Sequence, residues 1–245
     1  MARLISRQVE PERECGYLPA KRASLDTRVM LDVTTDELAE LLVRGWRRFG
    51  PVYFRPACGS CAECVPIRVP VHAFRPNQSQ RRAWRGARDL RIEVAVPSVD
   101  ERRLALYARW HAMREEQRGW APSPQDARSY ALEFAFPHPA AREITYWDGD
   151  ELLGVGLSDE TTHAHSAIYF FYEPTARHRS LGTVNVLFQL EHAKARGATH
   201  LYLGFRVKDC ASMRYKAAFR PHELLVGRPA MHETPRWVDG GTALP

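Results

Sequence analysis

Between residues 143 and 218 the hydrophobic period of the chain changes in an order that narrows the fold sharply. Glu143–Trp147 and Glu151–Leu157 flank the turn sequence Asp148-Gly149-Asp150, which predicts a β-hairpin. Ala164–Tyr172 predicts a third strand, dense in aromatic residues. Leu181–Arg196 carries a helical period and closes on Gly197. Thr199–Phe205 is a further strand, and Asp209–Ala218 a last helix. Strands that alternate with helices in this way pack the helices against a sheet, so the fold class is α/β (α+β).

The first 95 residues have a different character. Thr34 and Glu37 have capping-box spacing, and Leu38, Leu41, Leu42, Trp46 and Phe49 form one apolar helical face ended by Gly50-Pro51. Val52–Phe54 is a short strand leading to Cys58, and 66–76 is extended. Gln80–Ala87 is a short basic helix. After Pro97 a second capping-box spacing, Ser98 and Glu101, opens a helix over 99–118 with Leu106, Trp110 and Met113 on one side. Residues 119–142, with four prolines, read as a long loop around a short helix. The chain thus divides into a Cys/Arg-rich part over 1–95, a larger part over 96–228 and a loosely ordered tail over 229–245.

Charge is concentrated in the first part. Between Arg44 and Arg91 stand eleven arginines, no lysine and two acids, Glu63 and Asp89, a formal +9 in a chain of net +6. A planar guanidinium fork suits phosphate better than an ammonium does, so a nucleic acid is the expected partner. A solvated basic surface is the plainer alternative. No run of about 18 apolar residues and no leader-like N-terminus occur, which points to the cytoplasm and away from membranes.

Cys58, Cys61 and Cys64 crowd into seven residues, and Cys15 is the natural fourth thiolate. This spacing is compatible with an iron–sulfur cluster; zinc knots more often use two separated pairs. Free thiols are the alternative. Cys210, flanked by Asp209 and a helix start, reads as a core residue. A structural or redox-regulatory role for any metal fits better than a catalytic one, because no histidine-ligated water site accompanies the group.

The hairpin–strand–helix–strand–helix order resembles a GNAT-type acyltransferase core. That resemblance implies a turn after a strand whose backbone amides receive phosphates at a helix N-terminus. Arg177, Ser180 and Gly182 occupy this turn and resemble the R-x-x-G-x-G/A loop that holds coenzyme A, with Ser180 in place of the first glycine. An acetyltransferase using acetyl-CoA is therefore one reading.

A closer resemblance lies at the C-terminal side. Leu201–Leu224 reads LYLGFRVKDCASMRYKAAFRPHEL. It resembles the YLGYxIKDCxxMxYKxxFxPxE signature of the aminoacyl-tRNA–protein transferase family, departing from it at Phe205 and Arg206. The Cys15-Gly16-Tyr17-Leu18-Pro19 element, the segment from Arg55 to Arg68 that holds the cysteines, and Ser79-Gln80-Arg81-Arg82 match its N-terminal half. Phe171–Pro174 and Ser180–Gly182 match the remaining blocks, so the resemblance spans about residues 7 to 227. The short form and the leucine at position 18 resemble the bacterial branch, the aspartate/glutamate leucyltransferases, rather than the longer arginyltransferases. The resemblance implies transfer of leucine from leucyl-tRNA to proteins beginning with Asp or Glu, as a mark for proteolysis. Arginyl-tRNA as donor is the alternative within the family; an RNA-binding module with redox-sensing cysteines is the non-enzymatic one.

For such a transfer an aminoacyl ester is already reactive, and an N-terminal amine has a pKa of about 8. The protein must align amine and ester, remove a proton and stabilise the oxyanion; no cofactor is required. Asp209 is the candidate to orient or deprotonate the amine, and Tyr215 to relay a proton or donate to the oxyanion. Lys208 or Lys216 would bind the terminal ribose-phosphate or the oxyanion. Arg75, Arg81 or Arg82 would receive the acceptor's carboxylate or a phosphate, with Arg177, Ser180, Gly182 and Arg220 completing the substrate-binding set.

Overall fold

A computed structural model describes residues 2–118 and 126–241. In chain order the elements are β1 (Arg3–Val9), β2 (Arg13–Glu14), β3 (Arg22–Ala23), β4 (Leu25–Leu31), α1 (Thr35–Val43), β5 (Arg47–Phe49), β6 (Val52–Pro56) and β7 (Val65–Pro70). There follow α2 (Gln78–Arg85), β8 (Arg91–Ala95), α3 (Glu101–Arg118), α4 (Ala127–Phe134), β9 (Ala141–Asp148), β10 (Glu151–Glu160) and β11 (Ala164–Tyr172). Last come α5 (Leu181–Ala195), β12 (His200–Arg206), α6 (Ala211–Arg214), β13 (Glu223–Leu225) and β14 (Trp237–Asp239), with 3-10 turns over Pro174–Arg179 and Tyr215–Ala218.

One large sheet has the order β14-β13-β7-β12-β11-β10-β9-β8. Its one parallel pair among the described residues, β11 with β12, is registered over only three positions, from Ala164 opposite His200 to Ser166 opposite Tyr202. The pairing lapses beyond these positions, toward the C-terminal ends of both strands. Successive residues of β10 serve opposite faces, as the strand period demands. Leu152 packs with Leu106 and Trp110 of α3 and Tyr130 of α4, while Leu153 packs with Leu181 and Val184 of α5. A second sheet, β1-β4-β6-β5, carries α1 and Trp46 in its own cluster.

The mixed α/β architecture and the predicted hairpin, strand and helix of the C-terminal part stand. Several details differ. The Thr34–Glu37 capping box is formed, with Thr34 N donating to Glu37 Oε2 at 2.9 Å and Glu37 N to Thr34 Oγ1 at 3.2 Å. The helix nevertheless stops at Val43, so Trp46 and Phe49 are not on its face. Gly45 at φ +84 turns the chain, and a Cβ there would meet Pro66 Cγ at 2.8 Å, so the site requires glycine. Helix α3 is capped by Asp100, which accepts from Arg103 N at 2.8 Å, and not by Ser98. The expected last helix is a single turn, α6, continued as a 3-10 turn that places Lys216 against β12. The short helix expected within 119–142 is present as α4; residues 119–125 lie outside the described residues. Inside the segment read as a loose tail, β14 pairs with β13, and Trp237 Nε1 donates to Val43 O at 3.0 Å.

Candidate active site

Two cations meet beneath the bulged end of β12. Gly204 takes φ +77, and the pairing with β7 slips between Tyr202 and Phe205. A bulge of this kind turns carbonyls off the regular ladder. Arg47 Nη2 donates to Gly204 O at 3.3 Å, and Lys216 Nζ donates to Phe205 O at 2.9 Å. Arg47 is buried, donates also to Trp46 O at 2.7 Å, and lies over the rings of Tyr202 and Phe205. Among the described residues no carboxylate stands within ion-pair distance of either cation. Burial, reinforced by the charge of Arg47, pushes the Lys216 amine down to about 7, and burial alone brings Arg47 down to about 10. An amine balanced near neutral pH holds an anion when charged and takes a proton when not.

Segments far apart in sequence converge on this point. Lys216 lies within electrostatic reach of Cys64 and Cys210, and Tyr17 within reach of Cys64, Cys210 and Cys15. Burial comes first, and the neighbouring Cys15, Cys58 and Cys61 second, in raising the Cys64 thiol to about 12. Beyond β12, Lys208 and Asp209 are exposed, and Tyr215 is 49% exposed. Where β6, the start of β7 and the end of β13 meet, a cavity of about 350 Å³ is lined by Arg44, Arg55, Arg228, Cys64, Pro66 and Leu225, among others. Arg228 crosses to the cysteine loop and donates to Cys58 O at 3.0 Å and Cys61 O at 2.7 Å.

The turn after β11 has an unusual backbone. Ser180 takes φ +55, ψ +36, the left-handed conformation, and opens α5 without a side-chain cap bond. The residue is serine, but the backbone is the one glycine favours. Strain of this kind recurs at ligand-binding turns. A Cβ on Gly182 would meet nothing within 4 Å, so open space lies over the first turn of the helix. Arg177 and His178 are exposed beside it, whereas Arg179 is held by Asp148 and Asp89.

The arginine belt separates into two groups. Arg48 grips Asp159 through Nε, 3.0 Å from Oδ2, with both side chains buried. Arg68 pairs with Glu223 at 2.6 Å, and Arg47 is buried as described. These arginines serve the core, which corrects the picture of one continuous surface belt. Arg75, Arg81, Arg82, Arg85, Arg88 and Arg91 are exposed on and around α2. That helix, capped by Asn77 and Gln80, is fixed at both ends. Gln80 Nε2 donates to Ala218 O at 3.2 Å, and Arg75 N to Arg220 O at 3.3 Å. At its other end, Arg179 Nη2 reaches Gly86 O at 3.5 Å. The exposed arginines therefore bridge the Lys208–Arg220 segment and the Arg177–Gly182 turn.

Comparison with known proteins decides the family. The model of the arginine-tRNA–protein transferase C terminus matches residues 102–226, and that of its N terminus matches residues 13–82. The chain is 34% identical over 227 residues to the aspartate/glutamate leucyltransferase of Helicobacter hepaticus, covering 92% of this chain and 94% of that one. It is 35% identical over 241 residues to the enzyme of that name from Pseudomonas fluorescens, covering 97% of each. The chain belongs to the aminoacyl-tRNA–protein transferase family.

Among solved structures, FemX aligns with a TM-score of 0.46 at 13% identity, over 74% of this chain and 63% of that one. Against the family signature, the structure brings Lys216, Cys64, Cys210, Cys15 and Tyr17 into one neighbourhood, and leaves Lys208, Asp209 and Tyr215 at its exposed edge. Arg81 and Arg82 stand apart on α2. Arg47 was missed by sequence reading, since one arginine among eleven carries no mark of burial. Its one local signal is the neighbouring Trp46, an apolar residue just before a strand. A tetrahedral zinc ion with thiolates at about 2.3 Å needs sulfurs about 3.8 Å apart. Among the described residues no three of the cysteine sulfurs lie within 4.8 Å of one another, so the group does not fit zinc as it stands.

Proposed function

We propose that this aminoacyltransferase moves leucine from leucyl-tRNA to the N-terminal amine of proteins beginning with Asp or Glu, marking them for proteolysis in the cytoplasm. The observation that carries this reading is the near-full-length similarity to relatives that bear the leucyltransferase name. The Lys216–Arg47 pair at the signature's core supports it from the chemical side.

The acceptor amine attacks the ester carbonyl carbon, forming the new C–N bond and breaking the C–O bond to the tRNA ribose. The amine's proton passes to a base and then to the departing ribose oxygen. Asp209, exposed at the mouth, orients the amine and receives its proton. Lys216, charged, stabilises the oxyanion, a role its half-buried position suits better than that of exposed Lys208. Lys208 and Tyr215 steady the ribose and relay the proton. The acceptor's carboxylate has two candidate receptors, the arginine-lined cavity where β6, β7 and β13 meet and the exposed Arg75, Arg81 and Arg82. The cavity is favoured because Arg44, Arg55 and Arg228 converge there, which leaves the α2 arginines with Arg177 and Arg220 to the tRNA phosphates.

The core is read as GNAT-like, supported by the parting of β11 from β12 and the left-handed turn at Ser180. The division at 95/96 is kept as a proposal, supported by the two separately matched ranges. Cys15, Cys58, Cys61 and Cys64 are proposed as ligands of an iron–sulfur cluster, which would supply a cross-link and a redox-sensitive charge. No transfer step runs through it.

The test supplies labelled leucyl-tRNA, arginyl-tRNA or acetyl-CoA with a peptide beginning with Asp. Label transfer from leucyl-tRNA alone is expected. Transfer from arginyl-tRNA overturns the donor, and transfer from acetyl-CoA overturns the class. Binding of tRNA without any transfer leaves the non-enzymatic reading.

A further inference from the structure

A second group of polar side chains lies at the other end of the large sheet, away from the turn and the signature. Glu160 ends β10, His165 stands near the start of β11, and His192 lies in the last turn of α5. One ligand atom from each falls within 4.8 Å of the others. Glu160 and His165 are buried, at 5% and 0% exposure. The His165 imidazole and the Gln189 amide, itself 0% exposed, face each other, and among the described residues no third group hydrogen-bonds either of them. Gln189 precedes His192 by one helical turn, on the same side of α5.

A buried imidazole and amide with only each other to bond are costly, because each gives up several bonds to water. Proteins retain such groups where something else satisfies them. The carboxylate is already oriented for a ligand. Its Oε2 is held by Arg142 Nε at 3.0 Å and Arg196 Nε at 3.5 Å, and its Oε1 faces His192 Nε2 at 2.6 Å. A carboxylate with one oxygen clamped by arginine and the other hydrogen-bonded to an imidazole, with a second imidazole close by, resembles the oriented ligands of metal centres.

We propose that Glu160, His165 and His192 form a site for one divalent first-row transition-metal ion, zinc being the expected occupant, with the Gln189 side chain beside it. Two imidazole nitrogens and a single carboxylate oxygen suit zinc and its neighbours, whereas calcium and magnesium require mostly oxygen. The ion would tie β10, β11 and α5 together at the end of the sheet remote from Lys216. Its role is structural, and it is separate from the cysteine group.

The test must isolate this site from the thiols. A full-length variant with Cys15, Cys58, Cys61 and Cys64 changed to Ser is stripped with chelator and titrated with zinc against a chromophoric competitor. One tightly held zinc per chain is expected, with a rise in melting temperature. In the same background, His192→Asn and Glu160→Gln should each weaken zinc binding roughly 10- to 100-fold or more and abolish the rise. Circular dichroism verifies that each variant is folded, and the second variant stands in if the first is not. Absence of zinc binding by this four-serine variant overturns the proposal, as does undiminished binding by folded variants of both residues. Either result would assign the unfilled hydrogen bonds of His165 and Gln189 to buried water.

Discussion

Lys216 donates from Nζ to the carbonyl oxygen of Phe205 at 2.9 Å, where the bulge at Gly204 has turned that carbonyl toward it. The bond holds an amine beside a buried arginine, and among the described residues no carboxylate lies within ion-pair distance of either. An ordinary lysine keeps its proton up to about 10.5, and Lys216 releases it at about 7. Between those values the unfolded chain carries a proton that the folded chain has lost, so this residue's contribution to stability rises with pH across the window. Below about 7 the burial penalty is complete. Lys216→Met should therefore stabilise the protein relative to wild type most at about pH 6, and progressively less toward pH 10. Urea midpoints measured across that range test it; a pH-independent difference would exclude the shifted amine.

Asp209 is exposed and makes no contact on which the fold depends. Asp209→Asn should leave stability within about 0.5 kcal/mol of wild type and leave leucyl-tRNA binding intact. Single-turnover transfer should fall by about 10²- to 10⁴-fold if this carboxylate takes the amine's proton. Wild-type transfer rates would remove Asp209 from the mechanism.

Arg81 and Arg82 are exposed on a helix anchored at both ends. Replacing both by Ala should weaken tRNA binding and make its salt dependence shallower by about 0.7–0.9 for each phosphate no longer neutralised. Discrimination between acidic and neutral acceptor peptides should be unchanged, because the acceptor's carboxylate is assigned to Arg44, Arg55 and Arg228. Loss of that discrimination in the Arg81/Arg82 variant would move the acceptor site to α2.

Arg48 belongs to the same arginine-rich stretch but serves the core. Arg48→Met strands the Asp159 carboxylate in a buried position and should cost about 3–5 kcal/mol of folding free energy. Transfer per folded molecule should be unaffected, measured as activity normalised to native protein at low temperature.

At the turn opening α5, two substitutions separate strain from contact. Ser180→Gly relieves a left-handed serine and should raise stability by up to about 1 kcal/mol. Gly182→Ala adds a methyl into open space and should leave stability unchanged, yet raise KM for the donor if tRNA backbone approaches that turn closely. An unchanged KM would place the donor elsewhere.

The C-terminal elements were legible because apolar and aromatic runs are set off by turn residues such as Asp148-Gly149-Asp150 and Gly197. Ala164–Tyr172 is marked by its density of aromatic residues, and Leu181–Ala195 buries most of its residues between clear boundaries. The N-terminal sheet was not legible, since every residue of Arg3–Val9 is exposed and leaves no alternation to read. The signature pointed to the right segment of the site. It did not reveal that Arg47 joins Lys216 there, because that contact depends on a bulge and a turn at Gly45 that set the register of distant strands. The group around His165 left no trace in the sequence, as its members come from three elements and share no motif.

Strand β7 lies between β13 and β12 in the large sheet, although it is encoded some 130 residues before either. During synthesis at about 5–20 residues per second, Val65–Pro70 waits roughly 7 to 26 seconds for its first neighbour in that sheet to emerge. The nascent chain thus carries an unpaired apolar strand through most of its translation. A protein built this way depends on whatever shelters that strand at the ribosome, and a message broken before the codons for β12 yields a fragment that can only aggregate or be degraded.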